Sequence, residues 1–423
     1  MSKIAVIGTG YVGLTTGACF AHLGHDVVCI DIDEAKVAGL QRGEIPILEA
    51  GLDDLVREGT RDGRLTFVVG AAPAVADCDF AYLCVPTPQG ADGSADLSYI
   101  QDAAREIGPH LPPEAVVVNK STVPVGSTRV VERALGRSDV AVVSNPEFLR
   151  EGSAVHDFLH PDRIVIGAED QSAAVRVQSL YLGITAPVIV TDPASAETIK
   201  YAANAFLATK ISFINAVAAV CEAVGADIKD VALGMGYDTR IGHEFLKPGP
   251  GWGGSCFPKD TRAMVRIAED AGYDFDLLKG VVTVNDEQLH RVATKILDLA
   301  GGSVEGKRVA VWGLTFKART DDLRESPSLA VIRHLVARGA TVRGYDPSGP
   351  GALEGVEVVD DPYAAVEGAE VLAVLTEWDE FRWLDLDKVA DLMASRNVVD
   401  ARNLLDRASL VRRGFEYRGI GRS

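Results

Sequence analysis

The stretch Gly8-Thr9-Gly10-Tyr11-Val12-Gly13 follows directly on the apolar segment that opens this 423-residue chain. Glycines between a strand and a helix allow a tight turn, let a pyrophosphate approach the backbone and let the helix pack closely on the strand. Asp31 ends the next apolar segment, where a carboxylate can accept hydrogen bonds from the two hydroxyls of an adenosine ribose. The pattern predicts a dinucleotide-binding unit. It favours NAD over NADP, because Asp31 would repel a 2′-phosphate; the alternative is a glycine turn in an unrelated α/β protein.

Short β-branched segments alternate with helical stretches from Lys3 to about Asp192. This alternation predicts a parallel sheet with crossover helices. The predicted strands are Ile4 to Gly8, Asp26 to Asp31, Phe80 to Val85, Val116 to Lys120, Val140 to Ser144 and Ile164 to Gly167.

The β pattern vanishes from Pro193 to about Ala300, where Ser195 to Val224 is predicted to be one long helix, capped by Ser or Asp and ended by Gly225. Its charged and amide residues favour a buried helix over a membrane span. The α/β pattern then returns, which predicts three domains: a dinucleotide-binding domain 1–192, a helical domain 193–300 and a second α/β domain 301–423. The last domain should contain strands Arg308 to Trp312, Thr341 to Tyr345, Val371 to Leu375 and Val398 to Val399, and a helix Ser326 to Arg338.

Composition narrows the function classes. With 42 basic and 60 acidic residues the formal charge is −18, and no basic run is present, which disfavours nucleic-acid binding. The amino terminus leads straight into a strand, so we expect no secretory signal, no membrane attachment and a cytoplasmic location. The six cysteines show no CxxC spacing, which argues against zinc and against disulfides.

One cysteine differs from the rest in its surroundings. Cys256 lies in the glycine-proline tract Pro248 to Asp260, just before a predicted helix start at Pro258. A helix N-terminus and a nearby lysine stabilise a thiolate, the reactive form of cysteine. If the helix continues, Asp260 returns to the face of the cysteine. The alternative is an inert cysteine in a structural loop.

Polar residues elsewhere are candidates for the same chemistry. Lys200 and Asn204 share one face of the long helix, with Asn215 further along the same stripe, although a solvated face would show this pattern too. The loops Ser121 to Gly126 and Asn145 to Gly152 each follow a predicted strand. Ligands of open α/β sheets bind at that edge, but either loop could be an ordinary turn.

Taken together, these segments resemble the UDP-glucose 6-dehydrogenase family, within the wider group of nucleotide-sugar dehydrogenases. The likeness runs nearly end to end, and it implies that 1–192 binds NAD, that 193–300 carries dimerisation and active-site residues and that 301–423 binds the nucleotide sugar. Its motifs are GTGYVG at Gly8 to Gly13, STVPVGST at Ser121 to Thr128, NPEFLREG at Asn145 to Gly152, the helix segment ETIKYAANAF, GPGWGGSCFPKD at Gly249 to Asp260, LTFKARTDDLRESPS at Leu314 to Ser328 and DARN at Asp400 to Asn403.

The resemblance implies two NAD-dependent oxidations at C6 of the sugar, from alcohol through aldehyde to carboxylate. It implies that Cys256 captures the aldehyde as a thiohemiacetal that becomes a thioester. Lys200, Asn204 and Asp260 would stabilise the oxyanion and activate water, Thr122 would hold that water, and Glu147 would be the acid/base group of thioester hydrolysis.

The resemblance also implies binding roles for further residues. The cofactor set is Gly8, Gly10, Tyr11, Val12, Gly13, Asp31, Lys36, Thr87, Ser121, Thr122, Glu151 and Arg324. The substrate set is Phe148, Leu149, Arg150, Lys200, Asn204, Phe245, Leu246, Lys247, Gly253, Phe316, Lys317 and Arg402, with Arg240 reaching the diphosphate from a partner subunit of a homodimer or larger homo-oligomer.

Two local features bear on this resemblance. The segment Ile47 to Leu52 has Leu and Ala where the family usually has an aromatic residue and proline, a departure that we expect to touch no assigned chemistry. Ser255 before the cysteine favours UDP-glucose over UDP-N-acetylmannosamine. The same chemistry on dTDP-glucose or GDP-mannose stays open, as do a two-electron β-hydroxyacid dehydrogenase and a non-catalytic nucleotide-sugar sensor.

Overall fold

A computed structural model describes residues 1–88, 90 and 95–422. The chain divides into two compact units. Unit 1 comprises Met1–Ala203 and Arg262–Ala271, and unit 2 comprises Asn204–Thr261 and Gly272–Ser423. The three-domain division expected from the sequence stays a prediction.

Unit 1 is built on an eight-stranded sheet with the order β3-β2-β1-β4-β5-β6-β7-β8. Its pairings are parallel except for one antiparallel bridge, Ser144 with Gly167, between β6 and β7. The order reverses at β1, so the crevice that binds ligands in such sheets lies at the carboxyl ends of β1 and β4. The strands are β1 (Lys3–Ile7), β2 (Asp26–Asp31), β3 (Leu65–Val69), β4 (Phe80–Leu83), β5 (Val116–Asn119), β6 (Ala141–Ser144), β7 (Ile164–Gly167) and β8 (Val188–Thr191).

Helices cover both faces of this sheet. Successive residues of β1 belong to different cores, because side chains alternate across a strand: Ile4 and Val6 pack in one, Ala5 and Ile7 in the other. Central strands such as β4 and β5 are therefore buried along their whole length. The helices are α1 (Tyr11–His22), α2 (Glu34–Gln41), α3 (Leu52–Arg61), α4 (Ser98–Ile107), α5 (Ser127–Leu135), α6 (Ala154–Leu159) and α7 (Gln171–Ser179), with a 3₁₀ turn at Gly108–His110.

The middle of the chain is helical, as the sequence predicts. Asp192 caps α8 by accepting from the Ser195 backbone N–H at 2.8 Å, and Gly225 follows its end with φ +76°. By length and composition alone α8 could cross a membrane, but buried core helices share those properties. The helices are α8 (Pro193–Val224), α9 (Ile228–Gly236), α10 (Phe257–Asp270) and α11 (Asp276–Leu299).

Unit 2 contains a six-stranded parallel sheet with the order β11-β10-β9-β12-β13-β14, which repeats the reversal of the first sheet. Ile214 of α8 and Ile296 of α11 belong to a core on one face, and Trp312 and Phe381 to a core on the other. The strands are β9 (Arg308–Trp312), β10 (Thr341–Tyr345), β11 (Val356–Val358), β12 (Val371–Val374), β13 (Asn397–Asp400) and β14 (Glu416–Gly419). The helices are α12 (Pro327–Val336), α13 (Pro362–Val366), α14 (Leu386–Leu392) and α15 (Arg407–Arg412), with a 3₁₀ turn at Asp379–Trp383.

The predicted α/β class and all ten predicted strands are confirmed, with ends that differ by at most two residues. The four strands that the sequence did not reveal are β3, β8, β11 and β14, which are the two edges of each sheet.

Candidate active site

The glycine turn after β1 has the geometry that a dinucleotide requires. Gly8 has φ +97°, and a Cβ built at Gly13 would lie 1.9 Å from the Gly8 carbonyl oxygen. At Gly10, no atom of the described residues lies within 4 Å of such a Cβ. Gly8 thus permits the tight turn, and Gly13 lets the helix pack closely against it. Gly10 leaves room for a pyrophosphate. Tyr11 and Val12 begin α1.

Asp31, at the carboxyl end of β2, is an ionised acceptor beside this turn. Its Oδ2 accepts from the Thr9 N–H at 3.0 Å, the Thr9 hydroxyl at 2.6 Å and Lys36 Nζ at 2.9 Å. Burial alone would raise the pKa of Asp31, but the hydrogen bonds from Thr9 and Lys36 outweigh it and lower the pKa to about 2. The residues present therefore fit NAD, with a fixed negative charge where NADP carries a phosphate.

Glu49 contacts the glycine turn and the loop at Gly152, a role that the sequence did not reveal. It is buried and accepts from the Tyr11 hydroxyl, from the Gly152 N–H at 2.7 Å and from the Ala154 N–H at 2.7 Å. Burial and Glu49 raise the pKa of Tyr11, so its hydroxyl stays a donor. The segment Ile47 to Leu52 thus holds Tyr11 of the glycine turn through Glu49, and the expectation that its Leu and Ala departures touch no assigned chemistry stays a prediction.

The loops after β4 and β5 are joined by hydrogen bonds. The Thr87 hydroxyl donates to the Thr122 carbonyl at 2.9 Å, and the Ser121 hydroxyl donates to the Val85 carbonyl at 2.7 Å. Thr87, Ser121 and Thr122 are buried. These three predicted cofactor-side residues thus lie together at the carboxyl edge of the sheet.

Glu197 of α8 anchors the far end of the second loop. Its carboxylate accepts from the Gly126 N–H at 2.6 Å, from the Thr128 N–H at 2.9 Å and from the Thr128 hydroxyl at 2.7 Å. Burial raises the pKa of Glu197. The sequence assigned it no role, although an acidic residue near the start of an apolar helix was a usable signal.

Glu147 and Lys200 form a buried ion pair. Lys200 Nζ lies 2.9 Å from Glu147 Oε1, and the two side chains are 5% and 4% exposed. Burial would raise the pKa of Glu147, but the charge and hydrogen bond of Lys200 outweigh it and lower that pKa. Lys200 therefore does not belong to a solvated helix face, and Glu147 is kept ionised in a site where water is scarce.

The residues after Glu147 are held by local contacts. The Phe148 ring lies 3.7 Å from the Arg163 guanidinium and 5.4 Å from Lys200 Nζ. The Leu149 N–H donates to Glu147 Oε2 at 2.6 Å. Arg150 pairs with Asp157 at 2.6 Å. Glu151 lies next along this loop, directly before Gly152.

In unit 2, Cys256 lies at the start of α10. Its carbonyl accepts from the Asp260 N–H at 2.9 Å, the first turn of the helix. Cys256 is half-buried, whereas the other five cysteines are buried, and none of these six described cysteines forms a disulfide. The Ser255 hydroxyl lies 3.5 Å from the thiol sulfur. The predicted helix start and the predicted distinction of this cysteine are confirmed.

A hydrogen-bonded network lies one helical turn from Cys256. The fully buried Asp260 accepts from Asn204 Nδ2 at 2.6 Å and from Lys259 Nζ at 2.6 Å. Asn215, further along α8, accepts from the Gly249 N–H at 2.9 Å. Both amides are buried: Asn204 binds Asp260 of α10, and Asn215 binds the glycine-rich loop at Gly249.

The glycine-rich loop packs against the loop after β9. A Cβ at Gly254, whose φ is +80°, would lie 2.8 Å from the Phe316 ring, and one at Gly253 would lie 2.0 Å from the Glu325 carbonyl oxygen. Arg402 donates to the Phe316 carbonyl at 3.1 Å and pairs with Glu377 at 2.9 Å. Gly253, Phe316 and Arg402 thus lie in one region of unit 2, near the start of α10.

The remaining predicted binding residues of unit 2 are described by their ring contacts, their ion pairs or their exposure. Phe245 has φ +62° and its ring lies 6.3 Å from that of Phe257. Lys317 Nζ lies 5.1 Å from the Phe316 ring. Arg240 forms an ion pair with Asp238 at 2.6 Å, and Arg324 forms one with Asp322 at 2.7 Å. Leu246 is buried, and Lys247 is exposed.

Comparison with known proteins decides the family. Three domain profiles of one family match in order: the NAD binding domain over residues 2–185, the central domain over 194–287 and the UDP binding domain over 310–407. The chain belongs to the UDP-glucose/GDP-mannose dehydrogenase family. NAD is therefore its cofactor, and a nucleotide sugar is its substrate.

Full-length relatives exist within this family. A UDP-glucose 6-dehydrogenase of Rhizobium meliloti (strain 1021) is 48% identical, with 99% of each chain covered. UDP-glucose 6-dehydrogenase TuaD of Bacillus subtilis (strain 168) is 49% identical, covering 100% of this chain and 94% of its own. A solved UDP-glucose dehydrogenase structure from Pyrobaculum islandicum is 40% identical with a TM-score of 0.92, covering 100% of this chain and 98% of its own.

Proposed function

We propose that this chain catalyses the NAD-dependent conversion of UDP-glucose, two NAD and water into UDP-glucuronate and two NADH. The full-length relatives named above are UDP-glucose dehydrogenases, which favours UDP-glucose over dTDP-glucose or GDP-mannose. The observation that carries the four-electron reaction is the half-buried Cys256 at a helix start, one turn from the buried Asp260, which accepts from the buried Asn204 and from Lys259. A two-electron dehydrogenase or a nucleotide-sugar sensor would have no use for that thiol.

NAD, when bound, accepts a hydride from the sugar carbon in each of the two oxidations. The residues that would hold it are those of the glycine turn, Asp31 and the loops that carry Thr87 and Ser121. Asp31 would orient the adenosine ribose, and Lys36 would keep Asp31 ionised.

The proposed covalent step belongs to Cys256. Its sulfur adds to the C6 aldehyde, and the carbonyl oxygen takes a proton to give a thiohemiacetal, which the second oxidation turns into a thioester. Water then breaks the C–S bond, which releases the carboxylate and returns the thiol. An oxyanion develops at C6 in both addition and hydrolysis, and Lys200 and the Asn204 amide are the proposed donors for it.

Proton transfer in hydrolysis is assigned to Glu147, with Asp260 and Thr122 orienting the water. A carboxylate held ionised by Lys200 is ready to accept a proton from water. Lys317, Arg402 and Arg240 provide the cations that a diphosphate needs on a protein of charge −18.

A homodimer is proposed for the working assembly, in the cytoplasm. Phe206, Phe213 and Val220, spaced seven residues apart on one face of α8, are 64%, 52% and 60% exposed. An apolar stripe of this kind on a long helix is suited to pairing across a twofold axis. Arg240, whose side chain is 87% exposed, could then reach a diphosphate bound by the partner.

A substrate panel tests the proposal. UDP-glucose, dTDP-glucose, GDP-mannose and UDP-N-acetylmannosamine are each supplied in limiting amount with excess NAD, and NADH formed per sugar is counted. We expect two NADH per UDP-glucose and the highest kcat/KM for it. One NADH per sugar would support a two-electron enzyme, and none with any substrate would support a sensor.

A further inference from the structure

Lys120 is a buried cation that forms no ion pair within 4 Å with a carboxylate of the described residues. It directly follows β5 and is 5% exposed. Its Nζ donates to Asn145 Oδ1 at 3.2 Å and to the Tyr181 hydroxyl at 3.4 Å, both neutral groups. Burying a charge that touches no counter-ion lowers stability, so the charge calls for a reason other than stability.

The neighbours of Lys120 do not need it to complete their hydrogen bonds. Asn145 Oδ1 also accepts from the Tyr181 hydroxyl at 2.5 Å, and Asn145 Nδ2 donates to the Val165 carbonyl at 2.8 Å. A neutral side chain at position 120 would leave Asn145 satisfied. Structural need therefore does not account for the charge.

Lys120 lies beside the loop that carries Glu147. Strands β5 and β6 pair Asn119 with Ser144, so Lys120 and Asn145 leave the sheet side by side, and Glu147 follows two residues later. The charges of Lys200 and Lys120 lower the pKa of Glu147, and Arg163 and the Cys84 thiol also interact with Glu147 electrostatically. Burial raises the pKa of Cys84, so that thiol is neutral.

We propose that Lys120 is a positioning residue for the hydrolytic step, which holds the Glu147 loop through Asn145 and supplies a second positive charge that keeps Glu147 deprotonated. The proposal rests on the role of Glu147 given under Proposed function. Lys200 is to bind substrate oxygens as well as Glu147, so its charge is shared. Lys120 has no such second duty, and its charge acts on Glu147 through every step.

The sign of the effect follows from the charge. Lys120 lowers the pKa of Glu147, together with the stronger effect of Lys200. Removing the Lys120 charge raises that pKa, so a larger fraction of Glu147 is protonated as the pH falls. The rate of thioester hydrolysis should then decline at a higher pH than in the wild type.

The test compares full-length Lys120→Met and Lys120→Gln with Tyr181→Phe as the matched control. Gln keeps a donor for Asn145 without the charge, and Tyr181→Phe removes a hydrogen bond to Asn145 but keeps the charge. The decay of the sugar adduct on the protein is followed by intact mass after one turnover with UDP-glucose and NAD, from pH 5 to 8. Thermal unfolding is measured in parallel.

We expect both Lys120 variants to fold at least as stably as the wild type. The acid limb of the pH–rate profile, where the rate of adduct decay falls with falling pH, should move to higher pH by roughly one unit. Tyr181→Phe should leave that limb in place. An unmoved limb in the Lys120 variants, the same movement in Tyr181→Phe, or failure of both Lys120 variants to fold would overturn the proposal. If Glu147→Gln itself hydrolyses the adduct as the wild type does, the role of Glu147 is wrong instead.

Discussion

At the scale of the residue, Asp31 determines which cofactor the glycine turn accepts. The hydrogen bonds from Thr9 and Lys36 lower its pKa to about 2, so the carboxylate is charged throughout the working range. A group whose pKa is lowered on folding adds stability above its unfolded pKa near 4, and this is lost as the pH falls toward 2. Near neutral pH, Asp31 therefore supports both the fold and the exclusion of a 2′-phosphate.

Asp31→Ala tests this assignment. We expect a KM for NAD at least tenfold higher, because the adenosine ribose loses its hydrogen-bond acceptor. We also expect a smaller preference for NAD over NADP, because the charge that repels the 2′-phosphate is gone. Steady-state kinetics with both cofactors provide the measurement. Asp26→Ala, at the other end of β2, is the control with the same charge change. A wild type that prefers NADP would contradict the assignment.

The residues that the sequence could and could not reveal differ in a physical way. Cys256 and the glycine turn have local signatures, because turns and helix starts depend on residues that are adjacent in the sequence. Glu49, Lys120 and Glu197 act on residues 38, 25 and 69 positions away in the chain, and no adjacent residue identifies those partners. Only the folded sheet edge brings the partners together.

At the scale of the element, the undetected strands share a cause. Central strands are covered on both faces and appear as continuous apolar runs, as in the fully buried β4 and β5. The edge strands β3 and β14 mix exposed or half-exposed residues with buried ones, β8 has no buried residue, and β11 has three residues. A strand that is half solvated or very short has too little pattern to be distinguished from a loop.

The glycine-rich loop before α10 provides a prediction at this scale. Gly254→Ala puts a methyl group 2.8 Å from the Phe316 ring at φ +80°, so the loop must shift and Cys256 with it. We expect kcat to fall at least tenfold, with a stability loss of about 1 to 2 kcal/mol. Gly302→Ala is the control, because Gly302 has φ +91° with no described atom within 4 Å of the added Cβ.

The comparison separates backbone strain from the Phe316 contact. Both variants should unfold at similarly lowered denaturant concentrations, whereas only Gly254→Ala should lose activity. Equal activity in the two would show that the position of Cys256 does not depend on this contact.

At the scale of the whole molecule, the apolar stripe of α8 predicts assembly. Phe206→Glu together with Phe213→Glu places two charges within the proposed interface and should convert a dimer into monomers. Sedimentation velocity at assay concentration is the measurement. Trp383→Glu, at an exposed apolar side chain of the unit 2 surface, is the control and should leave the assembly unchanged. A wild type that is fully active as a monomer would refute the shared role of Arg240.

The claim that a sugar is carried on Cys256 can be tested by intact mass of Glu147→Gln mixed with UDP-glucose and excess NAD. With hydrolysis blocked, we expect two NADH per active site and a protein heavier by one thioester-linked UDP-sugar. The double variant Cys256→Ala with Glu147→Gln should gain no mass. An unmodified Glu147→Gln protein that still releases uronate, or an equal adduct in the double variant, would contradict the assignment of Cys256 as the nucleophile.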